Sequence, residues 1–260
     1  METKNRSQET SHHSSRDAIR IVPLHKPEIE ARPSAAEPKL VYRNGPLITS
    51  VEIFTIFWGS DWQQNPSAGI LAQINQFFDF VVTSSLMDQL SEYSVTGQSI
   101  GHGKRSGTIT LATPAPPASV TDQAIQQFLQ REISGNAAFP QPSPNTLYFV
   151  FTPAGTTVEQ GGSKSCQQFC GYHDAIGTQI FYAVMPFPSC AGCLGGVAQL
   201  DALTSTSSHE LCEAITDPIP GEGWYDDANG EIGDICAWKT KKLGNFAVQL
   251  EWSNRAGKCV

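Results

Sequence analysis

The residues from Ser208 to Asp217 carry one imidazole and three carboxylates within ten positions, in the order S-H-E-L-C-E-A-I-T-D. If this stretch is helical, turning by about 100° per residue, four ionisable side chains fall at roughly 0°, 40°, 80° and 100° around the axis. They are, in that order, His209, Glu213, Asp217 and Glu210. Burying so many ionisable groups on one side of a helix is costly unless a positive charge faces them. The stretch therefore predicts a metal site.

The spacing is similar to the zinc-protease motif H-E-x-x-H, in which two histidines one turn apart bind the metal and the glutamate acts as general base. Glu213 replaces the second histidine here, which gives H-E-x-x-E. The pattern predicts that His209 and Glu213 are metal ligands and that Glu210 activates a metal-bound water. Zinc accepts carboxylate oxygen, but a set this poor in nitrogen suits Ca²⁺ or Mn²⁺ equally well. The expected cofactor is therefore Zn²⁺, with Ca²⁺ and Mn²⁺ as alternatives.

A third ligand must come from outside the H-E-x-x-E stretch. Asp217, one turn further along, is one candidate, and Glu231 and Asp234 in the acidic segment that follows are the others. That segment, residues 223–236, contains two further aspartates but does not fit an EF-hand loop. It contributes to the H-E site, forms a calcium loop of another kind, or is a solvated acidic turn.

The same helix also has a purely structural interpretation. His209 would then belong to the N-terminal cap, and Glu210 and Glu213 would interact favourably with the positive end of the helix dipole. Asp217 would end the helix, because the residue before a proline, here Pro218, is disfavoured in the helical conformation.

The seven cysteines indicate disulfide bonds in an exported protein. Cys212 lies in the middle of the H-E helix and is expected to be buried and free. The other six are expected to form three disulfides, with the pairing left open: Cys166, Cys170, Cys190, Cys193, Cys236 and Cys259. The alternative is a zinc site made from the first four of these, with His173 able to replace one thiolate.

His173 also belongs to the sequence Cys-Gly-Tyr-His, and with Tyr172 it is a candidate for a position beside a substrate cleft. Alternatively, His173 is a structural, hydrogen-bonded histidine.

The hydrophobic pattern predicts strands that alternate with helices. Strands are expected at 51–58, 106–112, 146–151 and 178–185, and helices within 67–92, over 121–134 and over 203–216. Thr121 is expected to cap the second helix, and the hydroxyls of Thr204 to Ser208 the third. Residues 152–175 are expected to form a loop rich in glycine and cysteine.

This order predicts an α/β fold in one domain, residues 39–260, with a mixed, mainly parallel sheet flanked by helices. A strand that leads into a helix carrying H-E is also the layout of zinc-protease domains, which is an analogy of fold. Residues 1–38 are polar and lack an apolar period, so a disordered tail or linker is expected there.

Composition narrows the class of protein further. The net charge of −8 and the pI near 5.2 argue against nucleic acid or an anionic membrane as a partner. No run of about 18 apolar residues is present, so no membrane span is expected. The first 38 residues contain no apolar stretch of about 7–15 residues, and therefore no standard signal peptide is expected.

Short pieces spread over residues 40–260 resemble the EXORDIUM (phosphate-induced) family of secreted proteins, and in particular its bacterial type. The matching pieces, in the family's order, are Leu40–Ile48, Phe57–Gly59, Leu147–Thr152, Cys170–His173, Cys190–Cys193 and Ile215–Pro218. The bacterial type has the segment H-E-L-x-E-A-I-T-D-P followed by G-W-Y-D and G-E-I-G-D-I-C, and this chain resembles it in all three. The resemblance implies an extracellular protein, linked in plants to cell expansion, and carries over no biochemical activity.

Together these observations predict a secreted, zincin-like metallohydrolase that acts on a peptide or another extracellular polymer, with Glu210 as the catalytic base. The alternative is a non-catalytic extracellular binding or growth-regulating protein. In that case the carboxylates hold a structural cation or form a hydrogen-bonded network.

Overall fold

The computed structural model describes residues 21–25 and 37–260, which form fifteen strands and five α-helices. The strands are β1 Ile21–Pro23, β2 Val41–Tyr42, β3 Glu52–Trp58, β4 Lys104–Leu111, β5 Ser119–Thr121, β6 Thr146–Phe151, β7 Thr157–Gln160, β8 Ser163–Lys164, β9 Phe169–Ile176, β10 Ile180–Met185, β11 Trp224–Tyr225, β12 Thr240–Leu243, β13 Phe246–Gln249, β14 Trp252–Ser253 and β15 Lys258–Cys259. The helices are α1 Ser67–Val81, α2 Ser85–Leu90, α3 Asp122–Gly135, α4 Ala191–Leu194 and α5 Gln199–Thr216.

Six strands form the central sheet in the order β1-β9-β10-β6-β3-β4. The four strands from β10 to β4 are parallel, β9 runs antiparallel to β10, and β1 pairs antiparallel with β9. Because both faces of β6 are covered, every one of its residues is buried, as expected for the apolar run L-Y-F-V-F that follows Thr146. The predicted α/β fold with a mixed, mainly parallel sheet flanked by helices is confirmed.

Alternate residues of β3 fill two separate cores. Ile53 and Phe57 face the core that contains α1, α2 and α5, whereas Phe54, Ile56 and Trp58 face the core that contains α3. The Trp58 ring stacks on Phe128 of α3, with 4.2 Å between ring centroids. The site described below lies on the α5 side of the sheet.

Helix α5 begins at Gln199, earlier than the predicted residue 203, and this moves the expected capping hydroxyls into the helix interior. The prediction that Thr204 to Ser208 cap the helix is wrong, since Ser208 Oγ donates to the Ser205 carbonyl at 2.7 Å within the helix. Thr121 does cap α3 as predicted, because its Oγ1 accepts from the Ala124 N–H. With its start at Gln199, α5 carries His209 in its middle, so a cap role for this histidine does not fit the structure.

The expected loop over residues 152–175 instead contains β7, β8 and most of β9, which carries His173. Gly171 allows β9 to approach α5 closely. A Cβ atom at this glycine would lie 2.8 Å from Thr206 Cγ2 and 3.1 Å from Glu210 Oε1. The sequence pattern did not predict β9, because its glycine and cysteines are not typical of a strand. They are explained only by α5 and the disulfides that pack against β9.

We expect Gly171→Ala to destabilise the fold by about 1–3 kcal/mol, because the added methyl group overpacks the interface between β9 and α5. Gly69→Ala in α1 is the matched control. A Cβ atom added at Gly69 would meet no other atom within 4 Å, so this change should stabilise the helix by about 1 kcal/mol. Urea unfolding of both variants measures the difference, and equal stabilities would contradict the close approach.

The expectation of a disordered tail or linker over residues 1–38 concerns mostly residues outside the described ranges. The segment Ile21–His25 is described and differs from it, because its first three residues form β1 beside β9. No local pattern indicates this short strand, since its partner Tyr172 lies far along the chain.

The three expected disulfides are confirmed, and two of them are crossed rather than local: Cys166–Cys190, Cys170–Cys193 and Cys236–Cys259. Cys212 is buried and free, as predicted. The four cysteines of the alternative thiolate zinc site are paired in two disulfides in this structure, although the sulfur atoms of Cys166, Cys190 and Cys193 lie close enough together to hold a metal ion. Three disulfides fit a protein of an oxidising, extracellular compartment. Within the described ranges, no helix has both the length and the apolar character needed to cross a membrane.

Candidate metal centre

Five carboxylates and two imidazoles are buried together where α5, β9 and the chain after α5 meet. All seven side chains are at most 1 % exposed: His173, His209, Glu210, Glu213, Asp217, Glu231 and Glu251. Among the described residues, the only ion-pair partners that these carboxylates have are the two histidines. Since two imidazolium ions cannot neutralise five carboxylates, the cluster must take up a cation, protons or both.

His173 directs its Nδ1 at two of these carboxylates. Its Nε2 lies 3.1 Å from the main-chain oxygen of Asp217, which can only accept a hydrogen bond, so Nε2 carries a hydrogen. In the neutral ring Nδ1 is then unprotonated, and it lies 3.3 Å from Glu210 Oε2 and 3.5 Å from Glu213 Oε2. A lone pair facing two carboxylates is repulsive unless a cation or a proton lies between them.

The distances are compatible with a metal ion in this space. A charge-assisted N–H···O bond is usually about 2.7–2.9 Å long, which is shorter than either contact of Nδ1. Ligand atoms placed about 2.0–2.1 Å from a tetrahedral zinc ion lie about 3.3–3.4 Å from one another. His173, Glu210 and Glu213 therefore have the spacing of three ligands of one ion, and they form one of the two groups on α5 that could hold a metal. A metal-bound histidine also normally donates its second N–H to a carbonyl, as His173 does to Asp217.

His209 has the opposite arrangement of donor and acceptor. The Gln249 side chain is oriented by two backbone groups, because its Oε1 accepts from Trp238 N and its Nε2 donates to Gly233 O. The same Nε2 lies 2.8 Å from His209 Nδ1, which must then accept, so the hydrogen of a neutral His209 is on Nε2. That nitrogen is 2.9 Å from Glu213 Oε1, outside the direction of an aligned hydrogen bond.

Glu213 lies between the two histidines, and its oxygens face different groups. Oε1 accepts from Asp234 N at 3.1 Å and faces His209, while Oε2 faces His173. Burial on its own would raise the pKa of Glu213, but the two imidazoles outweigh burial and lower it to about 2. Glu213 is therefore the carboxylate of the cluster that stays ionised, and it is shared with the second potential metal group, His209, Glu213 and Asp234.

The other buried glutamates ionise less readily than Glu213. Burial raises the pKa of Glu210, and it raises the pKa values of Glu231 and Glu251 well above the usual range. Glu231 Oε1 lies 3.5 Å from His173 Nε2, Glu231 also interacts with the Asp217 side chain, and Glu251 interacts with the Cys212 thiol. For both histidines burial lowers the pKa, but the surrounding carboxylates outweigh it and raise the pKa well above 6.5.

Asp217 is not brought into either group of potential metal ligands. Its carboxylate accepts three backbone N–H groups, from Gly221, Glu222 and Gly223, at 2.5 to 3.0 Å. Burial raises its pKa to about 6, although the hydrogen bonds from the loop lower it. Asp217 therefore fixes the turn after α5 and contributes its main-chain oxygen to His173.

The acidic segment divides into an outer and an inner half. Asp226 accepts from Lys39 N and from the turn at Ala228, and exposed Asp227 pairs with Arg43. Glu231 and Asp234 instead lie beside α5. The first half is therefore the exposed acidic turn. In the second half, Asp234 belongs to a group that could hold a metal with His209 and Glu213, whereas Glu231, also predicted as a ligand, belongs to no such group.

Tyr172 points to the opposite side of β9 from His173, because side chains alternate along a strand. Its hydroxyl donates to Asp122 Oδ1 at 2.8 Å in the core on the α3 side, and Tyr182 donates to the same oxygen. The structure therefore does not bring Tyr172 to the cluster, and its expected role beside a substrate cleft has no support there.

A scan against protein-family models found no match for this chain, and a search of curated proteins found none either.

Two members of the site were not expected from the sequence, Gln249 and Glu251. Gln249 ends β13, and its amide determines which nitrogen of His209 carries the hydrogen. Neither residue belongs to a motif, and only the packing of β13 against α5 places Gln249 there. The glycine at position 233 is one sequence feature consistent with this packing, since a Cβ atom there would lie 2.7 Å from His209 Nδ1.

Proposed function

We propose that the protein is an extracellular metalloprotein that holds one divalent cation between His173, Glu210 and Glu213. The observation that carries this proposal is the position of His173 Nδ1, which lies 3.3 and 3.5 Å from two buried carboxylate oxygens. A neutral imidazole with two carboxylates balances the charge of a divalent ion. Zn²⁺ suits the nitrogen ligand and the short spacing, whereas Ca²⁺ prefers six to eight oxygen ligands.

The principal role of this ion is structural, because it stabilises the fold of a protein whose function is binding. Its ligands come from α5 and β9, and the turn after α5 is tied to His173 through the Asp217 carbonyl. The ligand side chains are at most 1 % exposed, so a substrate has no open approach to them in this structure. Export is supported by the three disulfides and by the resemblance to the EXORDIUM family, whose membership stays a prediction.

Metal-dependent hydrolysis is the second candidate function, and one observation favours it. Glu210 Oε1 has no hydrogen-bond partner among the described residues, while its Oε2 faces His173. A buried carboxylate with a raised pKa can serve as a general base once water and substrate reach it.

Removing the metal should lower the stability of the protein substantially. At a metal concentration about 100 times the Kd, binding stabilises the folded state by about 3 kcal/mol. For a domain of this size we expect a chelator to lower Tm by about 6–12 °C, and added Zn²⁺ to restore it. Elemental analysis of the dialysed full chain should give one ion per molecule.

A metal-free protein whose melting is unchanged by chelator would refute the metal centre and leave a protonated network in its place. The same preparation distinguishes the two candidate functions. Cleavage of a peptide library by the metal-loaded protein, lost with chelator and restored by Zn²⁺, would establish hydrolysis, and the absence of cleavage supports the binding role.

A further inference from the structure

The outermost strand of the central sheet, β1, is held only by residues far along the chain. Ile21 lies opposite Tyr172 and Pro23 opposite Phe169, so the segment Ile21–His25 adds an antiparallel strand to the edge of β9. An exposed sheet edge offers unpaired backbone groups to any extended chain, and adding a strand in this way is a common mode of peptide recognition.

The side chains of the segment occupy defined positions. Val22 is 2 % exposed and packs in a small apolar cluster with the Cys170–Cys193 disulfide. Leu24 contacts Gly192, where an added Cβ would come within 3.1 Å of the leucine side chain. The disulfide, Gly192 and the edge of β9 thus form a groove shaped for an aliphatic residue.

Backbone contacts hold the far end of the segment. His25 N donates to Gly192 O at 2.7 Å, and Trp238 Nε1 donates to Pro23 O at 2.9 Å. The His25 ring also lies edge-on to the Trp238 ring, with 5.1 Å between centroids. Pro23 itself is exposed, so most of the recognition uses the backbone and the single buried valine.

We propose that this groove, formed by the β9 edge, the Cys170–Cys193 disulfide, Gly192 and Trp238, is a binding site for extended peptides. In this structure its occupant is the chain's own segment Ile21–His25. The ligand class is an extended peptide with an aliphatic side chain in the place of Val22. One buried aliphatic side chain and a few backbone bonds form a small contact, so such a peptide can exchange with the segment.

The groove also contacts the buried cluster through two residues. Trp238 N donates to Gln249 Oε1, and the Gln249 amide bonds His209. The backbone of Trp238 has a φ of 66°, which is uncommon for a residue with a side chain of this size. Contacts with neighbouring residues must stabilise this conformation. On the other side, β9 carries both the groove and His173. The occupant of the groove therefore contacts the elements that position the cluster, although peptide binding does not depend on the presence of a metal.

The test uses the full chain with Val22→Asp, which expels the segment from its apolar position. A fluorescent peptide with the sequence of residues 19–27 is titrated in the presence of chelator, and binding is followed by fluorescence anisotropy. We expect it to bind the variant at least tenfold more tightly than the wild type, whose groove is filled. Val41→Asp is the matched control, since Val41 is 55 % exposed, and it should behave like the wild type. A peptide with Asp in the place of Val22 should not bind.

Leu24→Ser is a milder second variant in case Val22→Asp does not fold, and it should also admit the peptide. Folded variants that bind no better than the wild type would overturn the proposal. So would misfolding of both variants, because the segment would then be an integral strand. Because the peptide is titrated in chelator and the metal content is measured separately without it, failure of peptide binding is distinguishable from failure of the proposed metal centre.

Discussion

His173→Gln should lose the divalent cation on dialysis, whereas His209→Gln should retain it. His173 directs its Nδ1 at Glu210 and Glu213, and glutamine has no ring nitrogen that could take its place as a ligand. His209 accepts from Gln249, and its other nitrogen faces Glu213 Oε1, so it positions a ligand instead of binding the metal. Losing such a positioning residue typically weakens metal affinity by about 10–100-fold.

Elemental analysis and zinc titration of the two variants measure this difference. The pair is well matched, because both histidines are equally buried and both contact Glu213. The reverse result would place the ion in the second group, His209, Glu213 and Asp234, which contains the pair His209 and Glu213 that the H-E-x-x-E spacing predicts. Two ions per chain would mean that Glu213 bridges both groups.

Removing the Cys236–Cys259 disulfide should destabilise the protein and weaken metal binding together. The bond spans 23 residues, and the loss of such a cross-link costs about 3 kcal/mol. It also ties Cys236, at the end of the turn that begins with Asp234, to the last strand. Because Asp234 N donates to Glu213, loosening this turn should lower metal affinity.

The Cys166–Cys190 disulfide provides the control, since it spans 24 residues and should contribute similar stability. We expect the two double alanine variants to lose similar free energies of unfolding, measured in urea, while only Cys236→Ala/Cys259→Ala loses metal affinity. Equal metal affinity in the two variants would show that the 234–236 turn does not support Glu213.

The charge balance of the cluster explains why these variants should have large effects. Glu213 is ionised, whereas burial raises the pKa values of Glu210, Glu231 and Glu251. Without a metal ion, protons must take its place on these groups. Removing one partner from such a network leaves a buried group unpaired, which costs more than the loss of a surface contact.

Local sequence patterns were sufficient to predict the regular elements and part of the composition of the cluster. The predictions for β3, β6 and α3 agree with the structure within two residues at each end, because their apolar periods reflect burial on particular faces. The spacing in α5 was sufficient to bring His209, Glu210 and Glu213 to one side, since the angle between residues of one helix is a local property. The cysteines that form disulfides were also predictable, although their pairing was not.

Which atoms of the cluster could bind a metal depends on tertiary packing. The availability of a nitrogen lone pair is set by the partner of the other ring nitrogen, and those partners, the Asp217 carbonyl and Gln249, come from elements remote in sequence. For the same reason Asp217 was expected as a ligand but is committed to the backbone of its own loop. The strand that carries His173 was hidden because its glycine and cysteines reflect contacts with α5 and the disulfides, which no local pattern records.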